Sequence, residues 1–228
     1  MLWFVVTVAL IAIITIFCLV RTQRSDKEIA PYVSHCLFWL LIPIVSNIVI
    51  ALSDDPEVCK FCFTVYFIST TVLLYYFAEF AIKFCNFAEK PFASNLMMGV
   101  VAIDAVNLAF NYVFNHVFSV SVVEEGGEVD VVFQSLWYHK IHLGISALLL
   151  AISIIVLTVK CIKTSKLYRD RYILILIVCI LASFWESFHV FTNGVVDQSI
   201  IGICACGLFI YIYAMEYVPS ILMDEMKK

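Results

Sequence analysis

Hydrophobic residues gather into seven long runs, and most charged residues fall in the short connectors between them. A helix rises about 1.5 Å per residue, so about 20 apolar residues cross the hydrocarbon core of a bilayer. Each run is close to that length, and the pattern therefore predicts seven transmembrane helices. The predicted segments are Leu2–Val20, His35–Leu52, Phe61–Ile82, Ser94–Phe118, Ser135–Val159, Tyr172–Phe191 and Ser199–Val218.

The composition agrees with this pattern. Hydrophobic residues make up 63% of the 228 residues, which leaves too little polar surface to cover a water-soluble globule of this size. We expect an all-α, polytopic membrane protein built as a seven-helix bundle. Residues 1–219 form the predicted transmembrane domain, and residues 220–228 begin a cytoplasmic linker helix.

Positive charges lie on one side of the predicted topology. The first, third and fifth connectors and the C-terminal tail hold twelve of the 14 Lys and Arg residues, and the other side holds only Lys60 and Lys140. Cytoplasmic loops of membrane proteins carry an excess of Lys and Arg. The charges therefore predict that the N-terminus lies outside and the C-terminus in the cytoplasm.

The longest outer connector, residues 119–134, has a turn signal at Gly126 and Gly127 between two Val-rich arms. Paired glycines between such arms are typical of a β-hairpin. We expect a small hairpin or lid on the outer face.

Nine cysteines are present, and most lie in apolar runs, where a thiol behaves as a small hydrophobe. Only Cys59 and Cys62 form a C-x-x-C pair. A disulfide or metal role at the outer end of the third segment and a chance spacing both remain open, because no second pair completes a zinc site. The sequence leaves the question of a metal unanswered.

Polar side chains recur along the fourth segment at spacings of three, four and four residues. Asp104, Asn107, Asn111 and Asn115 therefore share one face of a continuous helix. Such a face is either a polar seam between helices or the wall of a ligand cavity. Asp104 needs a partner or a proton in either case, because an isolated carboxylate in hydrocarbon is costly.

A second group of ionisable residues is expected toward the outer face. It contains His116, the pair His139 and His142, and the pair Glu186 and His189. Each pair has i,i+3 spacing and so shares a helix face. The group predicts a ligand, metal or pH-sensing site, and the alternative is a set of interfacial histidines within an aromatic belt.

Two known seven-helix chemistries lack their key residues in the last segment. It contains no lysine for a retinal Schiff base and no histidine for a zinc hydrolase. The chain also shows no nucleophile–base pair and no phosphate-binding loop, so we expect no catalytic activity and no cofactor in this region.

Short motifs in the second half of the chain carry a family resemblance. They are N-x-x-x-N (Asn107, Asn111), Tyr-Arg-x-x-Tyr (Tyr168, Arg169, Tyr172), Asp-x-Ser (Asp197, Ser199) and Tyr-x-Pro-x-x-Leu (Tyr217, Pro219, Leu222). With these motifs the chain resembles the N-terminal seven-helix sensor region of bacterial histidine kinases and, still more, of membrane-bound GGDEF proteins. The resemblance extends over the whole chain in topology.

The resemblance implies a sensor in the bacterial inner membrane. Such a module detects a small-molecule or envelope cue and signals through its last helix to a kinase or diguanylate cyclase after Lys228, normally as a homodimer through that cytoplasmic domain. Gly202, Gly207, Tyr217 and Pro219 are the residues expected to transmit the signal.

The expected ligand site comprises Asp104, Asn107, Asn111 and the outer histidine and glutamate group. The expected partners are the lipid bilayer and an unidentified small molecule, and nucleic acid is not among them. A small seven-helix transporter or channel is the alternative function, and net solute flux distinguishes it from a sensor.

Overall fold

The computed structural model describes residues 2–88, 90–125, 128–192 and 200–216. The protein is mostly helical, with a single two-stranded hairpin in the described residues. The elements in chain order are α1 Leu2–Gln23, α2 Ala30–Leu52, α3 Pro56–Phe84, α4 Pro91–Ala109, α5 Asn111–Phe114, β1 Phe118–Glu125, β2 Glu128–Ser135, α6 Trp137–Lys163, α7 Lys166–Thr192 and α8 Ile200–Tyr211, followed by a π-helical turn, Ile212–Glu216.

Among the described residues, five helical stretches are long and apolar enough to cross a membrane. They are α1, α2, α3, α4 together with α5, and α6. The described part of α8 with its π-helical turn forms a shorter apolar helix. Many large apolar side chains on these helices are exposed, for example Trp3 and Ile162. Their exposure fits helices that present side chains to lipid.

Helix starts follow local sequence signals. Asp55 caps α3, because its carboxylate accepts a hydrogen bond from the Glu57 backbone N–H at 2.9 Å. Pro56 and Pro91 occupy the first positions of α3 and α4, where proline loses no intrahelical hydrogen bond.

The fourth predicted segment ends earlier than the sequence pattern suggested. It was expected to run as one helix to Phe118, but α4 ends at Ala109 and the short α5 ends at Phe114. Asn115 then adopts a left-handed conformation with φ 44°, which terminates the helix and turns the chain. Phe118 opens β1 instead of closing a helix.

The predicted hairpin is present as the antiparallel pair of β1 and β2, with Phe118 opposite Ser135 and Val120 opposite Phe133. The Gly126–Gly127 turn lies outside the described residues. Phe118 is fully buried and packs against Phe63 on α3, with ring centroids 6.0 Å apart. The base of the hairpin is therefore anchored on α3.

The core of the bundle lies where α2 packs on α3 and on α8. Leu37, Leu40 and Ile44 of α2 and Phe80 of α3 are at most 1% exposed. Gly207 of α8 lies directly against α2, since a Cβ added there would meet Leu40 Cδ2 at 2.5 Å. This close approach brings the last described helix into the centre of the bundle.

Basic connectors meet at one end of the bundle, which we call the basic end. Lys83 donates to Glu28 at 2.6 Å, and this hydrogen bond lowers the pKa of Glu28. Arg171, at the start of α7, stacks on Phe84 at 5.1 Å and on Tyr172 at 4.7 Å. The connectors that carry the positive charges thus lie together, opposite the hairpin.

The end of α8 also reaches the basic end. Arg21 contacts both carboxylate oxygens of Glu216, each at 3.0 Å. Tyr211 donates to the same carboxylate at 2.6 Å, and Lys27 Nζ donates to the Met215 carbonyl. The last turn of α1 and the connector that follows it therefore hold the π-helical turn at the end of α8.

Candidate functional site

A buried acid–imidazole pair joins α4 to α6. His142 Nδ1 lies 2.8 Å from Asp104 Oδ2, and the two side chains are 3% and 0% exposed. Thr71 Oγ1 of α3 is 3.5 Å from each of these atoms. Asp104 thus has the partner that a carboxylate in a membrane-spanning helix requires.

His139 and His142 lie on one face of α6, as their i,i+3 spacing predicts. Their rings stack at a centroid distance of 6.0 Å and both are buried. His139 Nδ1 is 2.7 Å from Ser135 Oγ at the end of β2. Phe67 of α3 contacts both rings, at 5.1 and 5.2 Å. The two histidines therefore connect the hairpin to the bundle interior.

Asn111 and Asn107 have different roles in the structure. Asn111 is fully buried, and its amide donates to the Phe118 carbonyl at 2.9 Å and accepts from the Val117 N–H at 2.8 Å. The amide of Asn107 donates a hydrogen bond to the Ile103 carbonyl of its own helix. Neither side chain makes a described contact with the acid–imidazole pair.

Asn115 is exposed and accepts a hydrogen bond from Lys60 at 2.9 Å. The predicted seam of four polar residues is therefore not continuous. It is interrupted because α4 ends at Ala109 and Asn115 is in a left-handed turn.

His116 lies in an aromatic cluster with Trp137 and Tyr138, at centroid distances of 5.9 and 5.4 Å. This matches the alternative interpretation of an interfacial histidine for His116 alone. None of the described hydrogen bonds or ring contacts of His116 reaches the acid–imidazole pair.

For several residues that the sequence predicted to be functional, the structure does not describe the side chain. The side chains of Glu186 and His189 lie outside the described part, although their backbone belongs to α7. Tyr217 and Pro219 lie outside the described residues. Gly202 faces α7, where an added Cβ would lie 3.6 Å from Ala182 Cα, an ordinary contact distance.

A cavity of about 380 Å³ occupies the centre of the bundle between α2, α3, α6, α7 and α8. Its wall is mostly apolar and includes Leu40, Phe67 and Ile203. His142 and Ser146, one helical turn apart on α6, also line it. A mostly apolar cavity with a few convergent polar groups is the usual form of a small-molecule site.

The sequence pattern did not reveal this cavity. Its walls come from five helices that are far apart in the chain, and most of its lining residues are ordinary apolar positions. Two thiols of the wall lie close together, with Cys179 Sγ of α7 3.4 Å from Cys206 Sγ of α8. The C-x-x-C thiols Cys59 and Cys62 are both free and buried.

Within the described residues, no group of three or more His, Cys, Asp or Glu side chains is arranged to hold a metal ion. The described residues of the site offer hydrogen bonds from the acid–imidazole pair and from hydroxyl groups, next to a large apolar surface.

The fold and the cavity define a class: a helical membrane protein with a mostly apolar central cavity that contacts its last described helix. The family model of the N-terminal seven-transmembrane region of histidine kinase matches residues 2–218. This is nearly the whole chain, and the protein belongs to that family. No curated protein matches the chain.

Membership confirms the resemblance to histidine kinase sensor regions and the assignment as a membrane protein. The members of this family are sensory input regions of histidine kinases and not their catalytic domains.

Proposed function

We propose that this chain is a sensory input module that detects a small molecule in the central cavity and signals through α8 to a cytoplasmic output domain. One observation carries the proposal. Ile203, Cys206, Gly207 and Ile210 of α8 line the same cavity as His142. An occupant of the cavity therefore touches the helix that leads to the C-terminus.

The proposed topology has seven spans, with the N-terminus outside the inner membrane and the C-terminus in the cytoplasm. The twelve-to-two distribution of Lys and Arg supports this orientation. In addition, Arg21, Lys27, Lys83 and Arg171 lie together at the basic end. In this orientation the hairpin, whose base packs on α3, lies on the outer side of the membrane.

The proposed output pathway is the end of α8. Arg21 and Lys27 hold Glu216 and the Met215 carbonyl at the basic end, so a shift of α8 changes these contacts. Gly202 and Gly207 belong to α8 and Tyr217 and Pro219 follow it in the sequence, and these four residues are proposed to transmit the signal. The output domain is a histidine kinase, with a diguanylate cyclase as the alternative, and the active unit is a homodimer through that domain.

A cavity-filling substitution tests the proposal without knowledge of the ligand. The chain is fused after Lys228 to a reporter histidine kinase, and autophosphorylation is measured in membranes. Ser146→Phe places a ring in the cavity and imitates an occupant. We expect it to change basal output several-fold.

Leu148→Phe is the matched control, because Leu148 lies on the same helix and is 59% exposed toward lipid. Its output should equal that of the wild type. A folded Ser146→Phe protein with wild-type output would contradict the proposal. Net solute flux into proteoliposomes that contain the wild-type chain would favour the transporter alternative.

A further inference from the structure

One turn of α6 contributes two polar side chains, His142 and Ser146, to the cavity wall. His142 lines the cavity, and its Nδ1 is engaged by Asp104 at 2.8 Å. The ring nitrogen that remains available to an occupant is therefore Nε2. Whether Nε2 donates or accepts a hydrogen bond depends on where the protons of the pair are.

The cost of a net charge in the membrane limits where the protons of the Asp104–His142 pair can be. Both residues lie in membrane-spanning helices, where an uncompensated charge is costly. The pair is neutral in two forms only, a carboxylate with an imidazolium or a carboxylic acid with a neutral imidazole. In the first form both ring nitrogens carry hydrogen. In the second, the acid donates to Nδ1 and the hydrogen of the imidazole is on Nε2, because the reverse arrangement would place the acid hydrogen on Asp104 Oδ1, which is buried and has no hydrogen-bond partner among the described residues. Nε2 is a donor in both forms.

Ser146 supplies a second donor one turn along the same face. Its Oγ is buried and has no hydrogen-bond partner among the described residues. Of the other hydroxyl groups of the wall, those of Thr70 and Ser183 are already engaged. Thr70 donates to the Tyr66 carbonyl at 2.8 Å, and Ser183 donates to the Cys179 carbonyl at 2.5 Å.

We propose that the cavity selects an uncharged, largely apolar molecule that carries a carbonyl oxygen, and that this oxygen accepts hydrogen bonds from His142 Nε2 and Ser146 Oγ. The proposal rests on the proposed function, since it names the ligand class of the same cavity. A hydrocarbon fills the cavity but leaves both donors unpaired. An ionised carboxylate pairs with the donors but adds a net negative charge to the site.

Three probes of equal chain length separate these cases: 2-undecanone, undecane and undecanoate. The full chain in lipid nanodiscs is photolabelled with 2-undecanone that carries a terminal diazirine, and labelled peptides are identified by mass spectrometry. Each probe then competes at equal mole fraction in the lipid. We expect label on cavity peptides of α6 and α8, and we expect 2-undecanone to compete about tenfold better than either other probe.

Two substitutions test the donors. His142→Phe and Ser146→Ala should each reduce the preference for the ketone over the alkane. Ser153→Ala is the control, because Ser153 is buried on the same helix and bonds to the Leu149 carbonyl outside the cavity. It should keep the wild-type preference. If His142→Phe does not fold, Ser146→Ala decides.

The outcomes distinguish this inference from the proposed function. Cavity labelling with equal competition by ketone and alkane would overturn the assignment of the carbonyl ligand and leave the cavity site standing. Stronger competition by undecanoate would overturn the charge argument. No label on the cavity peptides would overturn the proposed function together with this inference.

Discussion

At the scale of single residues, Asn111 fixes the start of the hairpin. Both ends of its amide bond to backbone groups of Val117 and Phe118, and the side chain is fully buried. Loss of this amide leaves a buried carbonyl and a buried N–H without a partner, which is more costly than loss of an exposed hydrogen bond.

Asn111→Ala should therefore lower the free energy of unfolding by about 1–3 kcal/mol and raise hydrogen exchange in β1. Asn107→Ala is the matched control, since its amide bonds only within its own helix. It should change stability by less than about 0.5 kcal/mol. Equal effects of the two substitutions would refute the role of Asn111 as an anchor.

Residue-level prediction from the sequence was good where the helix period applied. The spacing of His139 and His142 correctly placed both on one face of α6. The partner of Asp104 was not predictable, because His142 is 38 residues away in the chain and on another helix. The prediction of a continuous seam of four polar residues was wrong. The seam required one unbroken helix, and a turn at Phe110 interrupts that helix.

At the scale of elements, the contact between α8 and α2 depends on a missing side chain. Because Gly207 has no Cβ, the Leu40 side chain can approach its backbone closely. A Cβ added at Gly207 would lie 2.5 Å from Leu40 Cδ2. Any larger residue must displace the end of the Leu40 side chain, which is 1% exposed and tightly packed. Overpacking of this kind costs about 1–3 kcal/mol.

Gly207→Ala should thus destabilise the protein by about 1 kcal/mol or more, measured by reversible unfolding in mixed detergent. Gly202→Ala should be close to neutral, because its added Cβ meets Ala182 at an ordinary distance of 3.6 Å. Leu40→Val in the Gly207→Ala background should restore part of the loss. The contact between the helices would be misassigned if Gly202→Ala were the more damaging change.

Most elements were predictable because apolar length and turn residues are local signals. The hairpin follows from the paired glycines and the Val-rich arms, and it is present as expected. The end of the fourth segment was missed because the apolar run continues through Phe114 to Phe118, while the left-handed turn at Asn115 ends the helix. Apolarity alone does not distinguish a helix end from a buried strand.

At the scale of the whole molecule, the charge pattern predicts opposite exposure of the two ends. Single cysteines at Gly126 and at Thr164, in a chain whose native cysteines are replaced, can be labelled with an impermeant maleimide in intact cells. Gly126→Cys should react and Thr164→Cys should not. Reaction of both, or the reverse pattern, would refute the orientation.

The cavity belongs to the whole molecule and not to any segment. Hydrophobic periodicity shows which faces are apolar, but it does not show where five packed helices leave a space. His142 was predicted as a site residue from its chemistry, whereas Ser146 was not, because a serine on a membrane helix usually bonds to its own backbone. Only the packed bundle places the two beside α8.

The central claim is that an occupied cavity moves the last helix. It is tested most directly by the distance between spin labels at Thr164 and Ile212, measured by pulsed electron resonance in nanodiscs for the wild type and for Ser146→Phe. We predict a shift of about 1–2 Å or more in the mean distance, as helix displacements in signalling proteins usually give. The Leu148→Phe control should match the wild type. Identical distributions for the wild type and a folded Ser146→Phe protein would contradict the account.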